Sequence, residues 1–252
     1  MEKSGELFSF VLSSDFSSFR KFDSAGDFYL AYFFIPRPTV LGIIGSILGL
    51  KKSVKDDLPW WRELKDTKIA IEPLNMNPIR HLVVYNNSSG AAFYDSKVGQ
   101  ILNVKEQILI NPKYRIYVEL NEKTKTAFKL LEEKKSVFVP YLGKNEFRAE
   151  ISEVEKYRFV AFNGRSVISS IYPSRLKETE KFRSVSWMDA NKAVQILESH
   201  PYTYTKNYKY MQEVFIFSPD EVNTELIKSC VDGNFVQLDR DKRVIYLYGN
   251  KK

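Results

Sequence analysis

Histidine is the side chain best suited to moving protons near neutral pH, and this 252-residue sequence holds only two, His81 and His200. His81 follows Arg80. A metal-independent nuclease can use a histidine with a lysine and a tyrosine as acid, base and oxyanion stabiliser, but a lone Arg-His pair supplies little of that set. His200 precedes Pro201 at what reads as a helix end, so a cap or surface residue is expected there. Zinc needs three or four ligands at compatible spacing. With Cys230 as the single cysteine, neither a multi-cysteine metal site nor an intrachain disulfide can form. No metal and no other cofactor is expected. Most carboxylates sit among lysines, the pattern of a solvated face.

Cations set between aromatic rings are the more promising chemistry. "FRKF" (Phe19–Phe22), "PRP" around Arg37, "KYRIY" and "YLGKNEFR" all interleave the two. That combination suits single-stranded nucleic acid, because cations neutralise phosphates while rings stack on bases. Lys and Arg exceed Asp and Glu by 38 to 31, a net charge of +7, and aromatics make up 14% of the residues. The excess favours an acidic partner. No block of five or more like charges occurs, so the fold must assemble any binding track. The RNP1 signature of RNA-recognition domains is absent, which favours loops and helix ends over base stacking on a sheet face.

The most apolar stretch is "FIPRPTVLGIIGSILGL", Phe34 to Leu50. It is interrupted by Ser46 and is shorter than the ~18 apolar residues of a membrane-spanning helix. Its spacing predicts a helix over Val40–Leu50 with Thr39 as N-cap and Lys51 and Lys52 near the negative end of the dipole. Gly42, Gly45 and Gly49 then share one face. A helix-interior glycine costs roughly 0.5–1 kcal/mol relative to alanine, so the stripe is read first as close packing and second as an anion-facing entrance. It matches neither the Walker pattern nor the dinucleotide fingerprint. The N-terminus lacks a basic region followed by an apolar core, and a cytoplasmic protein is expected.

These residues have to be held by a recognisable succession of elements. "LFSFVLS", "KIAIEPL" and "YRIYVEL" read as strands, and "FRAEISEVEKYRFV" as a longer one. "EKTKTAFKLLEEKK" after Asn121 reads as an amphipathic helix. Between Leu74 and Pro112, "HLVVYN" and "QILIN" flank the turn-rich "NNSSG", which predicts an inserted β-hairpin over about 75–112. The order strand, helix, strand, insertion, strand, helix, strand is that of an α+β, ferredoxin-like (RNA-recognition-motif-like) domain. Residues 1–158 are assigned to it, and residues 159–252 to a smaller β-rich C-terminal domain. The latter holds a hairpin turning at Asp239–Lys242 and a short helix between Pro219 and Cys230.

The stretch "FIPRPTVLGIIGSILGL", with "FRKF" before it and "NPKYRIYV" and "PYLGKNEFRAEI" after it, resembles the fifth CRISPR-associated family in the same order, most closely its type I-B branch. The matched blocks run from Phe8 to Ile151, and the C-terminal third carries no such motif. The resemblance implies a ferredoxin-like domain whose inserted β-hairpin thumb interlocks with the neighbouring backbone subunit and the guide RNA. It implies a non-catalytic subunit of a type I Cascade surveillance complex in antiviral defence, capping the 5′ handle of crRNA. The implied partners are crRNA, the backbone and large subunits, and target DNA near the protospacer-adjacent motif, with no membrane. By position the RNA-binding candidates are Arg20, Lys21, Arg37, Gly42 and Gly45. Arg80, His81, Lys144, Asn145 and Arg148 join them. The type I-C branch cuts precursor crRNA with a Tyr, Lys and His set, of which only His81 has a counterpart here. An endoribonuclease of that kind, or a ferredoxin-like protein-interaction module, are the rival readings.

Overall fold

The computed structural model describes residues 4–22, 24, 28–51, 58–76, 78–88, 101–174, 195–205, 209–227 and 231–250. The chain begins with β1 (Ser4–Ser13), β2 (Phe16–Ser17), β3 (Phe28–Tyr29), α1 (Arg37–Leu48), α2 (Pro59–Leu64) and β4 (Ile69–Pro73). Next come β5 (Ile79–Ser88), β6 (Ile101–Ile110), β7 (Lys113–Glu119), α3 (Thr124–Glu132), β8 (Glu150–Ala161), β9 (Arg165–Val167) and β10 (Tyr172–Pro173). It ends with β11 (Ile196–Tyr204), β12 (Tyr210–Phe217), β13 (Glu221–Asn223), β14 (Gly233–Leu238) and β15 (Val244–Tyr248). Cys230, Lys52 and the end of the "NNSSG" turn lie outside the described residues.

The architecture corrects the expected fold class. The protein is mostly β, built on a closed barrel in the order β1-β7-β4-β15-β14-β8, not on an α+β ferredoxin-like domain carrying an inserted thumb and a separate β-rich unit. The closing hairpin β14–β15 does turn where expected, but β14 pairs with β8 and Tyr248 of β15 pairs with Ile69 of β4. Strands from both sides of residue 158 therefore share one sheet. β5 and β6 pair antiparallel from Ile79–Ile110 to Ser88–Ile101. β6 also pairs with β2 and β3, so it is an inner strand of a second sheet rather than part of a projecting insertion. Where a helix was expected between Pro219 and Cys230, the described residues form β13 and a single 3-10 turn, Thr224–Leu226.

Side chains alternate across each barrel strand. Leu7, Ala70, Tyr117, Tyr157, Phe159, Val236, Leu238, Ile245 and Leu247 form one buried cluster drawn from all six strands. The buried hydrophobic helix residues, Val40 and Ile44 among them, belong to the other cluster, with Phe8, Phe10, Ile71, Ile116 and Val118. The first face is therefore the lumen and the second the outer wall. Tyr117 donates a hydrogen bond to Glu72 at 2.6 Å, and Arg243 reaches the same carboxylate at 2.9 Å.

α1 packs on the outer wall through Val40, Leu41, Ile44 and Ile47. It starts earlier than expected. Pro36 is extended and Pro38 occupies the first turn, where a missing N–H costs nothing, so Thr39 lies inside the helix and is not its cap. Gly49, at φ +75°, ends the helix, with Leu50 N–H bonded to the Gly45 carbonyl and Gly49 N–H to that of Ser46. Asn121 closes the turn that leads into α3, accepting from the N–H groups of Lys123 and Thr124 at 3.0 Å each, while Lys123 holds the N-cap position without a side-chain bond.

His200 also departs from expectation. It lies in β11 with no exposed surface, its ring 4.5 Å from that of Phe215. Pro201 is no helix end: the β11–β12 register shifts between Pro201 and Thr203, and proline is tolerated at such a bulge. Burial pushes the His200 pKa down to about 3, so the imidazole is neutral.

Two predictions come from this packing. A Cβ at Gly42 would meet nothing nearer than Trp60 at 4.0 Å, whereas at Gly45 it would lie 2.9 Å from the Trp60 Cβ. Gly42→Ala should raise stability by about 0.5–1 kcal/mol, and Gly45→Ala should lower it by about 1 kcal/mol or more through overpacking; denaturant midpoints check both. For His200, the unfolded chain binds the proton below about pH 6.5 while the native state does not. Its contribution is complete above that pH and is lost as pH falls, by about 1.4 kcal/mol per unit until about pH 3. The neighbouring Glu198, whose pKa burial raises against the bonds it accepts, has the opposite slope. The stability difference between His200→Phe and the native protein, followed by unfolding from pH 7 to 4, should therefore move in favour of the variant on acidification.

Candidate nucleic-acid interface

Segment 28–34 organises the expected cations. Lys21 N–H bonds to the Leu30 carbonyl and Tyr32 N–H to that of Phe19, both at 2.7 Å, so "FRKF" runs alongside it. The segment offers rings on which those cations settle. The Arg20 guanidinium lies 3.3 Å from the Tyr29 ring centre, the Lys21 ammonium 5.3 Å from Tyr32, and Arg80 of β5 5.5 Å from Phe33. Arg20 and Arg80 are exposed, and no carboxylate among the described residues pairs with either. Lys21 is more committed. It lies 3.4 Å from Glu198, a buried carboxylate that also accepts from Phe33 and Phe34 N–H at 2.9–3.0 Å.

The "YLGKNEFR" loop reaches the same sheet. Gly143 has φ +91°, and a Cβ there would collide with the Ser18 carbonyl oxygen; only glycine allows the loop to pass so close. Ser18 N–H in turn bonds to the Leu142 carbonyl at 3.1 Å. This places Lys144 on the buried Glu106 of β6, 4.5 Å from the Tyr85 ring centre. Burial disfavours its charge, but the Glu106 hydrogen bond outweighs that, and its pKa is raised. Asn145 is exposed on the loop. Arg148 lies apart, in a polar cleft of about 480 Å³ shared with Asp15, Lys113, Glu146 and Glu150.

Between α1 and this loop opens a larger cleft of about 740 Å³. Thr39, Gly42, Ile43 and Ser46 of α1 form one wall. Trp60, Phe138, Tyr141, Tyr204 and Tyr210 surround it, with Gly143 and Lys51 also lining it. The rings continue outward: Tyr204 packs edge-on to Trp61 at 4.8 Å, stacks on Tyr210 at 4.7 Å, and Tyr210 meets the exposed Phe22 of "FRKF" at 5.8 Å. Burial raises the Tyr204 pKa, so its hydroxyl stays protonated at neutral pH.

The expected site residues therefore divide. Arg20, Lys21, Arg80 and Lys144 converge on β3, β5, β6 and the segment after β3. Gly42 borders the cleft, and Gly45 is covered by Trp60. Arg37 cannot serve as a surface phosphate ligand. It has no exposed area, and its guanidinium donates to the carbonyls of Tyr202 at 2.9 Å, Lys65 at 2.5 Å and Thr67 at 2.8 Å. Burial lowers its pKa to about 10, which leaves it charged at pH 7. His81 is exposed on β5 opposite Ile108. Among the described residues no group of three or more His, Cys, Asp or Glu is placed to hold a metal ion, and no helix is long and apolar enough to cross a membrane.

Sequence reasoning missed Trp60, Tyr204 and Tyr210. The adjacent tryptophans and the "YTY" triplet are visible signals, but the cleft joins them only through tertiary packing.

No protein-family profile matches this chain, and no curated protein does. Among solved structures, a chain of a CRISPR RNA-guided surveillance complex superposes with a TM-score of 0.51 at 14% identity, covering 88% of this chain and 93% of that one. A CRISPR protein from Archaeoglobus fulgidus gives 0.48 at 13% identity over 98% and 100%. A chain of a type III-B Cmr-β complex bound to cognate target RNA and AMPPnP gives 0.47 at 12% over 94% and 98%. The last two are too distant to carry an argument. At its low identity the first establishes one thing: this protein shares its fold with a chain of a CRISPR RNA-guided surveillance complex.

Proposed function

We propose that this protein is a non-catalytic RNA-binding subunit of a CRISPR surveillance complex, of the type I-B kind, holding the 5′ handle of crRNA beside the backbone and large subunits. The observation that carries the reading is the run of exposed rings and cations from Arg80 and Arg20 through Phe22 to the cleft at Tyr210. Single-stranded nucleic acid is held by such pairings of cationic track and aromatic platform. The shared fold and the motif blocks between Phe8 and Ile151 support the same assignment. In this reading Arg20 and Arg80 take phosphates, while Lys21 and Lys144 hold their loops in place through buried carboxylates. Target DNA near the protospacer-adjacent motif is a further partner of the assembled complex.

The Arg20→Ala, Arg80→Ala double variant should bind single-stranded repeat RNA more weakly than the native protein. Each lost phosphate contact should also take about 0.7 from the slope of log affinity against log salt. Filter binding at several salt concentrations checks this, and an unchanged slope removes both residues from the site. Incubation of the protein with labelled repeat RNA in metal-free buffer should leave the RNA intact. Cleavage that His81→Ala abolishes would replace this reading with that of a crRNA-processing endoribonuclease.

A further inference from the structure

α1 carries three glycines, and the protein's own packing accounts for two. Gly45 admits the Trp60 side chain, and Gly49 supplies the left-handed turn against Val137. Among the described residues Gly42 has no such reason: a Cβ there would make only ordinary contact with Trp60, at 4.0 Å. A glycine inside a helix is nevertheless unfavourable, and this one faces the 740 Å³ cleft. The missing side chain keeps the cleft open.

The cleft's chemistry restricts what enters. Among the described residues its lining is mostly apolar and aromatic, with Lys51 the single charged residue and no carboxylate. The two loops beside it carry cations, of which Lys144 and Lys21 are paired with carboxylates and Arg20 is exposed. Gly143 in the lining precedes Lys144 and Asn145, and Tyr210 in the lining contacts Phe22, which follows Arg20 and Lys21. A flat, uncharged ring attached to a polyanion complements an aromatic cleft with an exposed cation beside it. A carboxylate would find one lysine and a wall of rings.

We infer that this cleft holds one unpaired nucleobase, admitted by Gly42 and stacked among Trp60, Tyr210 and Phe138, with its flanking phosphates near Lys51 and the loop that carries Arg20. The inference rests on the RNA-binding reading above and adds to it the place where a base ring, rather than the backbone, is recognised. Volume and stacking make the site tolerant of base identity, since every base offers a ring face. Phe138 is suited to closing over the base. It is half exposed, but its backbone N–H is tied to the Ser46 carbonyl of α1 at 3.0 Å, so its position is set by the helix that carries Gly42.

The test compares a single-stranded RNA of about eight nucleotides with a base-free ribose-phosphate chain of equal length and charge. Both are titrated into the full-length protein and followed by tryptophan emission and anisotropy. The native protein should prefer the base-bearing RNA by about tenfold and show quenched emission with it alone. Gly42→Met, which suits a helix and projects into the cleft, should abolish both the preference and the quenching while retaining affinity for the base-free chain. Its thermal unfolding, unchanged or raised, shows that the fold survives. Arg20→Ala should weaken both ligands equally and keep the preference. Equal binding of the two ligands by the native protein, or a preference that Gly42→Met leaves intact, overturns the cleft assignment alone and leaves the cleft to an apolar side chain of a protein partner. Binding of neither ligand overturns the RNA reading and this inference together.

Discussion

A single buried guanidinium ties together three of the elements that line the aromatic cleft. Arg37 begins α1, and its donors reach Lys65 and Thr67, just beyond α2, and Tyr202 in β11. α1 supplies Gly42 and Ile43 to the cleft, α2 supplies Trp60, and β11 supplies Tyr204. A charged group removed from water is tolerated only when its donors are paired. Arg37 pairs both terminal nitrogens with these carbonyls, only its Nε lacking a partner among the described residues, and so holds the three backbones together. The same side chain lies 5.7 Å from the Trp61 ring centre, where cation and ring attract one another. An arginine that looks like a ligand contact in the sequence instead determines where the contacts stand.

Two buried carboxylates do comparable work for the cationic face. Glu198 of β11 grips the N–H groups of Phe33 and Phe34 and pairs with Lys21, fixing segment 28–34 to the C-terminal sheet. Glu106 of β6 accepts from Ser18 at 2.7 Å and pairs with Lys144, holding the "GKN" loop over the second sheet. The cations thus fall into two groups. Those whose charge is used internally position loops, and those lying exposed on aromatic rings, Arg20 and Arg80, remain available to an anion. Spacing in the sequence does not distinguish the groups, because the discriminating partners, Glu106 and Glu198, are more than sixty residues away in sequence from the lysines or loops they serve, except for Lys144 at a separation of 38.

What the sequence made legible was local. β1, β4, β7, β8, the β5–β6 pairing, the closing turn at Asp239 and the Asn121 turn all depend on alternation or on a side chain within a few residues of its target. The barrel was not legible, because its closure depends on β14 meeting β8 and β15 meeting β4, pairings such as Val236–Ala161 and Tyr248–Ile69 that lie far beyond the reach of local alternation. The strand order suggested a ferredoxin-like unit because alternation reports which elements exist and not which edges they cover. His200 was misread for a related reason. Proline after histidine marks a helix end in isolation, yet a bulge in a buried strand accommodates the same dipeptide.

The glycine stripe shows most clearly how one spacing can conceal three causes. Gly42, Gly45 and Gly49 repeat at helical intervals, and periodicity assigns them a common role against a neighbouring surface. Their environments differ. Gly45 is required by a tryptophan, Gly49 by a positive φ, and Gly42 by no contact among the described residues. Intrachain packing would therefore favour alanine at position 42, since helix propensity and ordinary van der Waals contact both support it. A glycine there makes sense if the volume is used by something else. The argument for a ligand in the cleft is thus strongest at the position where the fold itself asks for least.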